Sequence, residues 1–171
     1  MKKIKGLIII AVMLFLTGQA WGAAGTITLA GDDLIYSRAL NRPAVRVLTV
    51  TFLAGSADGV IPSLTLNSST TGIKHGDLAG WYGYKIIIDC NHAGTEPTEN
   101  SEIYIYENGF DLLAAGGVDQ VDNTAERQVY FNNGTDPVKQ PIANTLTVTI
   151  TQQAAATNSA TGTVYLYFVG E

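Results

Sequence analysis

An all-β, single-domain antiparallel β-sandwich of about eight strands, with jelly-roll or immunoglobulin-like connectivity, is the fold class that this sequence predicts. Short apolar runs recur in which every second residue is apolar, the spacing of a strand with one buried face. They are rich in Thr, Val, Ile and Tyr and are broken by Gly, Asn, Asp and Pro. Long stretches with helical periodicity are missing. The expected organisation is a cleavable signal peptide over 1–22 and one sandwich domain over 23–171.

The N-terminus has the three parts of an export signal: Lys2, Lys3 and Lys5, the apolar run 7–16, and the small-residue exit Ala20-Trp21-Gly22. An apolar run of ten residues is half the roughly 20 that a membrane-spanning helix needs, so no retained anchor is expected. Cleavage is expected after Gly22, with Ala20 and Ala24 as the alternative ends. The only cysteine, Cys90, cannot act as a lipid-attachment residue behind that cut. The expected location is therefore the periplasm, the cell surface or the medium.

Along the mature chain the first candidate strand is 26–30. The runs 45–54 and 81–90 carry apolar residues on both faces, the pattern of central strands covered on two sides. Between them, 60–66 is a weaker candidate. The stretch 91–100, with Gly94, Pro97 and Asn100, reads as a loop. In 101–107, Ile103 and Ile105 alternate with Glu102, Tyr104 and Tyr106. Residues 111–115 are the one segment that could form a helical turn, 128–131 is a short strand, and 132–141 is a second loop. Leu146, Val148 and Ile150 alternate with threonines over 145–151, and Val164, Leu166 and Phe168 alternate with Thr163, Tyr165 and Tyr167 over 163–169. These last two runs are expected to pair as a C-terminal hairpin. A membrane barrel is disfavoured, because the strands are short and the threonine face is too polar for lipid.

Removing the signal takes away three of ten basic residues and leaves seven against 15 acidic ones, a net charge of −8. Seven scattered bases are a poor match for phosphate, so no nucleic-acid partner is expected. A single cysteine allows no internal disulfide, and Cys90 behind Ile86-Ile87-Ile88 reads as a buried structural thiol.

Nucleophilic catalysis needs a base beside the nucleophile, and the only histidines, His75 and His92, lie in turn-like sequence. Asp89, Cys90 and His92 could ligate zinc, but strand alternation sends Asp89 and Cys90 to opposite faces. Glu96, Glu99 and Asn100, or Asp119 and Asp122, lack the spacing of a calcium loop. No catalytic residue, metal or cofactor is expected. The outward tyrosines Tyr104, Tyr106, Tyr165 and Tyr167 are the candidate binding residues, because exposed aromatic faces stack on sugar rings and anchor protein interfaces.

Three stretches taken in order resemble a family of small virion-associated structural proteins of tailed phages and prophages. They are Ala57-Asp58-Gly59-Val60-Ile61-Pro62; Gly94-Thr95-Glu96-Pro97-Thr98-Glu99-Asn100 running through Ile103 and Ile105 to Gly109-Phe110-Asp111-Leu112-Leu113 and Gly116; and Asn158-Ser159-Ala160-Thr161-Gly162-Thr163-Val164. The resemblance implies a β domain with a structural role and no catalysis. Export departs from that family, whose members assemble in the cytoplasm, and moves the expected role to a cell surface or the periplasm. The function expected is non-enzymatic surface assembly or partner binding, with a protein partner or further copies of the chain. A carbohydrate-binding module using the tyrosine face, with a glycan as ligand, is the alternative.

Overall fold

The computed structural model describes residues 23–37, 42–90, 95, 97–98, 101–121, 125–143, 145–152 and 158–170, the side chains of 36–37 and 42–44 aside. The expected signal peptide, most of the 91–100 loop and residues 153–157 lie outside the described residues. Ten strands and no helix occur among them: β1 (Thr26–Ser37), β2 (Arg42–Leu53), β3 (Leu64–Leu66), β4 (Tyr82–Asp89), β5 (Glu102–Glu107), β6 (Phe110–Asp111), β7 (Arg127–Tyr130), β8 (Gln140–Pro141), β9 (Leu146–Thr151) and β10 (Thr161–Val169).

They form two open antiparallel sheets. The larger runs β1-β2-β10-β4-β7, with β8 also on β4, and the smaller runs β3-β9-β5-β6. The antiparallel partners β2/β10, β3/β9, β4/β7 and β5/β6 nest one inside the next along the chain. The chain is thus one long hairpin with its tip between β5 and β6, wound over two sheets. That is jelly-roll connectivity, and it decides between the two expected topologies.

Alternation places one face of each sheet on a common core. Leu48, Val50, Phe52, Ile86, Ile88, Val164, Leu166 and Phe168 come from the larger sheet and meet Leu66, Ile103, Ile105, Leu146, Val148 and Ile150 from the smaller, all in one cluster. Each such side chain contributes roughly 1.5–3 kcal/mol when taken out of water. Close packing is visible at two glycines. A Cβ at Gly83 would lie 2.5 Å from the Phe131 ring, and one at Gly162 would lie 2.5 Å from Phe52 and 2.6 Å from Cys90 Sγ. Cys90 is buried, as its apolar approach predicts.

Five expectations change. The two C-terminal runs do not pair with each other: β10 lies between β2 and β4, and β9 lies between β3 and β5. Each has one apolar face, and placing them in opposite sheets lets both faces share the core. Two strands exceed the expected eight, since β6 and β8 are only two residues long. The first strand runs on to Ser37 instead of stopping at Ala30. A bulge between Leu29 and Gly31 absorbs the irregularity, and Asp32 turns inward to a buried partner. The run 60–66 is strand only from Leu64, because Gly55 and Val60 are tied in a turn by a Gly55 N–H to Val60 carbonyl bond of 2.8 Å. Residues 111–115 form a turn, with Ala114 N–H donating to the Asp111 carbonyl at 3.2 Å, that does not continue as a helix. Asp111 belongs to β6, its carboxylate accepts from Leu113 and Ala115 N–H, and Ala114 and Ala115 have φ of 45° and 64°.

Candidate binding faces

The four candidate tyrosines fall into two pairs on opposite outer surfaces. Tyr104 and Tyr106 lie on β5 of the smaller sheet and Tyr165 and Tyr167 on β10 of the larger. Each pair alternates with core residues, so both point away from the shared core and away from each other. A single platform of four tyrosines does not form.

On the smaller sheet, the Tyr104 and Tyr106 rings stack with centroids 5.6 Å apart and planes 15° apart. Tyr104 stands opposite Thr149, Tyr106 opposite Thr147, and Glu102 opposite Thr151, with Thr65 beyond Thr147. Ser63 and Thr149 hydroxyls lie 3.0 Å apart. The Tyr104 hydroxyl donates to Glu102 Oε2 at 2.8 Å. Ionising that phenol would set two negative groups against each other, and the hydrogen bond to Glu102, followed by burial, pushes its pKa up to about 12. This face is a field of hydroxyls around an aromatic pair.

The outer face of the larger sheet differs chemically. Its register lines up cross-strand rows over β1, β2, β10 and β4: Ile35, Val45, Val169 and Tyr82; then Asp33, Val47, Tyr167 and Lys85; then Gly31, Thr49, Tyr165 and Ile87; then Thr28, Thr51, Thr163 and Asp89. The first row is apolar, the second sets Val47 and Tyr167 between two charges, the third joins Tyr165 and Ile87 to Gly31 and Thr49, and the fourth is polar. Lys85 Nζ sits 5.0 Å from the Tyr167 ring centroid and donates to Gln128 at 2.8 Å. Ile35 is 55 % exposed, while Val45, Val47, Ile87, Tyr165 and Tyr167 are half-buried. Here the expectation of two covered faces fails: β2 and β4 are central in their sheet, but among the described residues only their inner face meets a second layer. Tyr84, within the run 81–90, is 39 % exposed. A register shift beside Tyr167 leaves it unpaired with β10, and its ring meets Tyr130 edge-on at 5.6 Å.

One electrostatic feature escaped the sequence reading. Arg46, on the inner face of β2, donates from Nε and Nη2 to the two oxygens of Asp32, both at 2.9 Å, and both side chains are fully buried. Nη1 also donates to the Asp77 carbonyl at 2.8 Å, and Nη2 to the Gly76 carbonyl at 2.9 Å. Asp32 also accepts from the Lys74 and His75 N–H groups, and Trp81 lies 5.9 Å from the guanidinium. Burial alone would raise the Asp32 pKa; the bonds from Arg46 and the two amides outweigh it and hold the carboxyl below its ordinary value. The acid and the guanidinium turn their polar atoms on each other and on the backbone, so the pair fastens the 74–77 loop to the larger sheet. The signal for it was an acid pair, Asp32-Asp33, behind a glycine inside a strand pattern.

Among the described residues, no three His, Cys, Asp or Glu side chains group as a metal would require. Asp89 is half-buried and Cys90 buried on alternate faces, His75 is exposed, and His92, Glu96, Glu99, Asn100 and Asp122 lie outside the described residues. Fold and faces together define a jelly-roll domain with one hydroxyl-rich and one apolar outer surface. No family model, curated protein or solved structure matches the chain.

Proposed function

We propose that this chain is an exported, non-enzymatic β-sandwich that acts in surface assembly or partner binding through the outer face of its larger sheet. One observation carries the reading: Val45, Val47, Ile87, Tyr165, Tyr167 and Val169 form a contiguous apolar and aromatic surface over three neighbouring strands. Such surfaces on soluble domains mark interaction sites. Export rests on the N-terminal sequence, with cleavage near Gly22 and no anchor retained. The resemblance to virion-associated structural proteins supports a structural role, and export directs that role to the cell surface or periplasm. A photo-crosslinking amino acid at Val47 or Tyr167, in the producing cell, is expected to give discrete adducts, and the same probe at Thr151 on the other sheet none. No adduct from either position on the larger sheet would remove this reading.

The stacked Tyr104 and Tyr106 favour a second reading, a carbohydrate-binding module, because Glu102, Thr147 and Thr149 offer hydrogen bonds beside the rings. Jelly rolls serve as both capsid and lectin domains, so the fold favours neither reading. On a glycan array, Tyr104→Ala should abolish sugar binding and Tyr165→Ala should leave it intact if this second reading holds.

A further inference from the structure

Resting on the interaction reading above, we propose that the partner on the larger sheet is a further copy of this chain. Outer faces would turn to a common rotation axis running along the strands, and Asp33 of each copy would meet Lys85 of its neighbour. Three observations support this. First, β2 and β4 carry apolar residues on both faces, with Val45, Val47 and Ile87 on the outer one, yet the described residues cover only the inner face.

Second, the face is complementary to itself. In the row Asp33, Val47, Tyr167, Lys85, which β7 continues with Tyr130, an exposed acid on β1 and a base on β4 flank two apolar residues. A rotation about an axis parallel to the strands carries β1 of one copy towards β4 of the next, so the acid approaches the base on both sides of the contact. The same operation keeps each row beside its own counterpart. The apolar Ile35 row then meets its own counterpart, whereas an axis across the strands would set it on the polar Thr28 row. Equivalent patches meeting about a rotation axis are how closed homo-oligomers form.

Third, the area suffices. Four strands spaced about 4.8 Å and four rows spaced about 6.8 Å give about 520 Å² per copy, or roughly 1,050 Å² for two copies face to face. That clears the roughly 1,000 Å² expected of a biological interface.

The test is sedimentation equilibrium of the protein expressed from its full sequence in a secreting host and purified as the cell leaves it. At about 100 µM a dimer or a larger closed ring is expected. Asp33→Lys and Lys85→Asp should each weaken association about tenfold, and the double exchange Asp33→Lys with Lys85→Asp should restore it to within about threefold of wild type. Both positions face outward, so circular dichroism should show unchanged sheet content in all three variants. Monomeric wild-type protein, or a double exchange no better than the single changes, overturns the proposal. Crosslinks at Tyr167 carrying a mass other than that of this chain overturn it too and leave the broader interaction reading standing; no crosslink of any mass removes both.

Discussion

Replacing Asp32 with Ala would strand the Arg46 guanidinium in the core with no counter-ion. Both side chains are fully buried and joined by two 2.9 Å bonds. Breaking such a pair from one side costs about 3–5 kcal/mol, because the remaining charge is uncompensated. The Lys74 and His75 amides also lose their acceptor, but both are only partly buried and water can replace it. Against a total stability of about 5–15 kcal/mol the loss is large. For a domain of this size it corresponds to a melting point lower by roughly 6–20 °C. The pH dependence has a definite sign. A carboxyl whose folded pKa is lowered contributes stability above its unfolded value, about 3.9, and loses it as pH falls through the lowered one. Urea unfolding at pH 7 and pH 3 should therefore show a gap between wild type and Asp32→Ala that is full at pH 7 and narrower at pH 3. Adding Arg46→Met should recover part of the loss, since an apolar chain replaces an orphaned charge. A gap under about 1 kcal/mol at pH 7, a gap equal at both pH values, or a double variant destabilised by the sum of the single changes would refute the reasoning.

Two glycines should respond for different reasons. Gly162→Ala forces a Cβ to 2.5 Å from the Phe52 ring and should cost about 1–3 kcal/mol or more by denaturant titration, through overpacking. Gly109→Ala meets nothing within 4 Å, but φ there is +83°, so about 1–2 kcal/mol of backbone strain is expected in the same assay. Glu102→Gln removes the negative acceptor of the Tyr104 hydroxyl. Ultraviolet titration should then show one phenol moving from about 12 towards the ordinary 10. Phe168→Ala, in the centre of the core, should cost about 3–5 kcal/mol in urea unfolding.

Strands with one apolar face were legible because alternation is a local property. Leu146 to Ile150 and Val164 to Phe168 could point their apolar residues only inward, and the burial of all six follows. The β5–β6 hairpin has a local signature too. Asn108-Gly109, with φ of 49° and 83°, closes a two-residue turn between the paired Glu107 and Phe110, and that dipeptide favours such turns. Phe110 at its edge is 76 % exposed. The tyrosines were correctly sent outward, but not to one surface, since alternation says which way a side chain points relative to its own strand and not which sheet holds the strand.

The sequence by itself determined an all-β chain, the inward and outward sets of its main strands and the burial of Cys90, because each follows from neighbours two residues apart. Only the tertiary structure decided that β9 and β10 lie in opposite sheets, that the four tyrosines split into two pairs, and that Asp32 enters the core to meet Arg46. Those features join residues distant along the chain, and their energies arise only when the sheets close on one another: a shared core rewards the separation of β9 from β10, and a buried guanidinium draws an acid into a strand that local propensity would have ended.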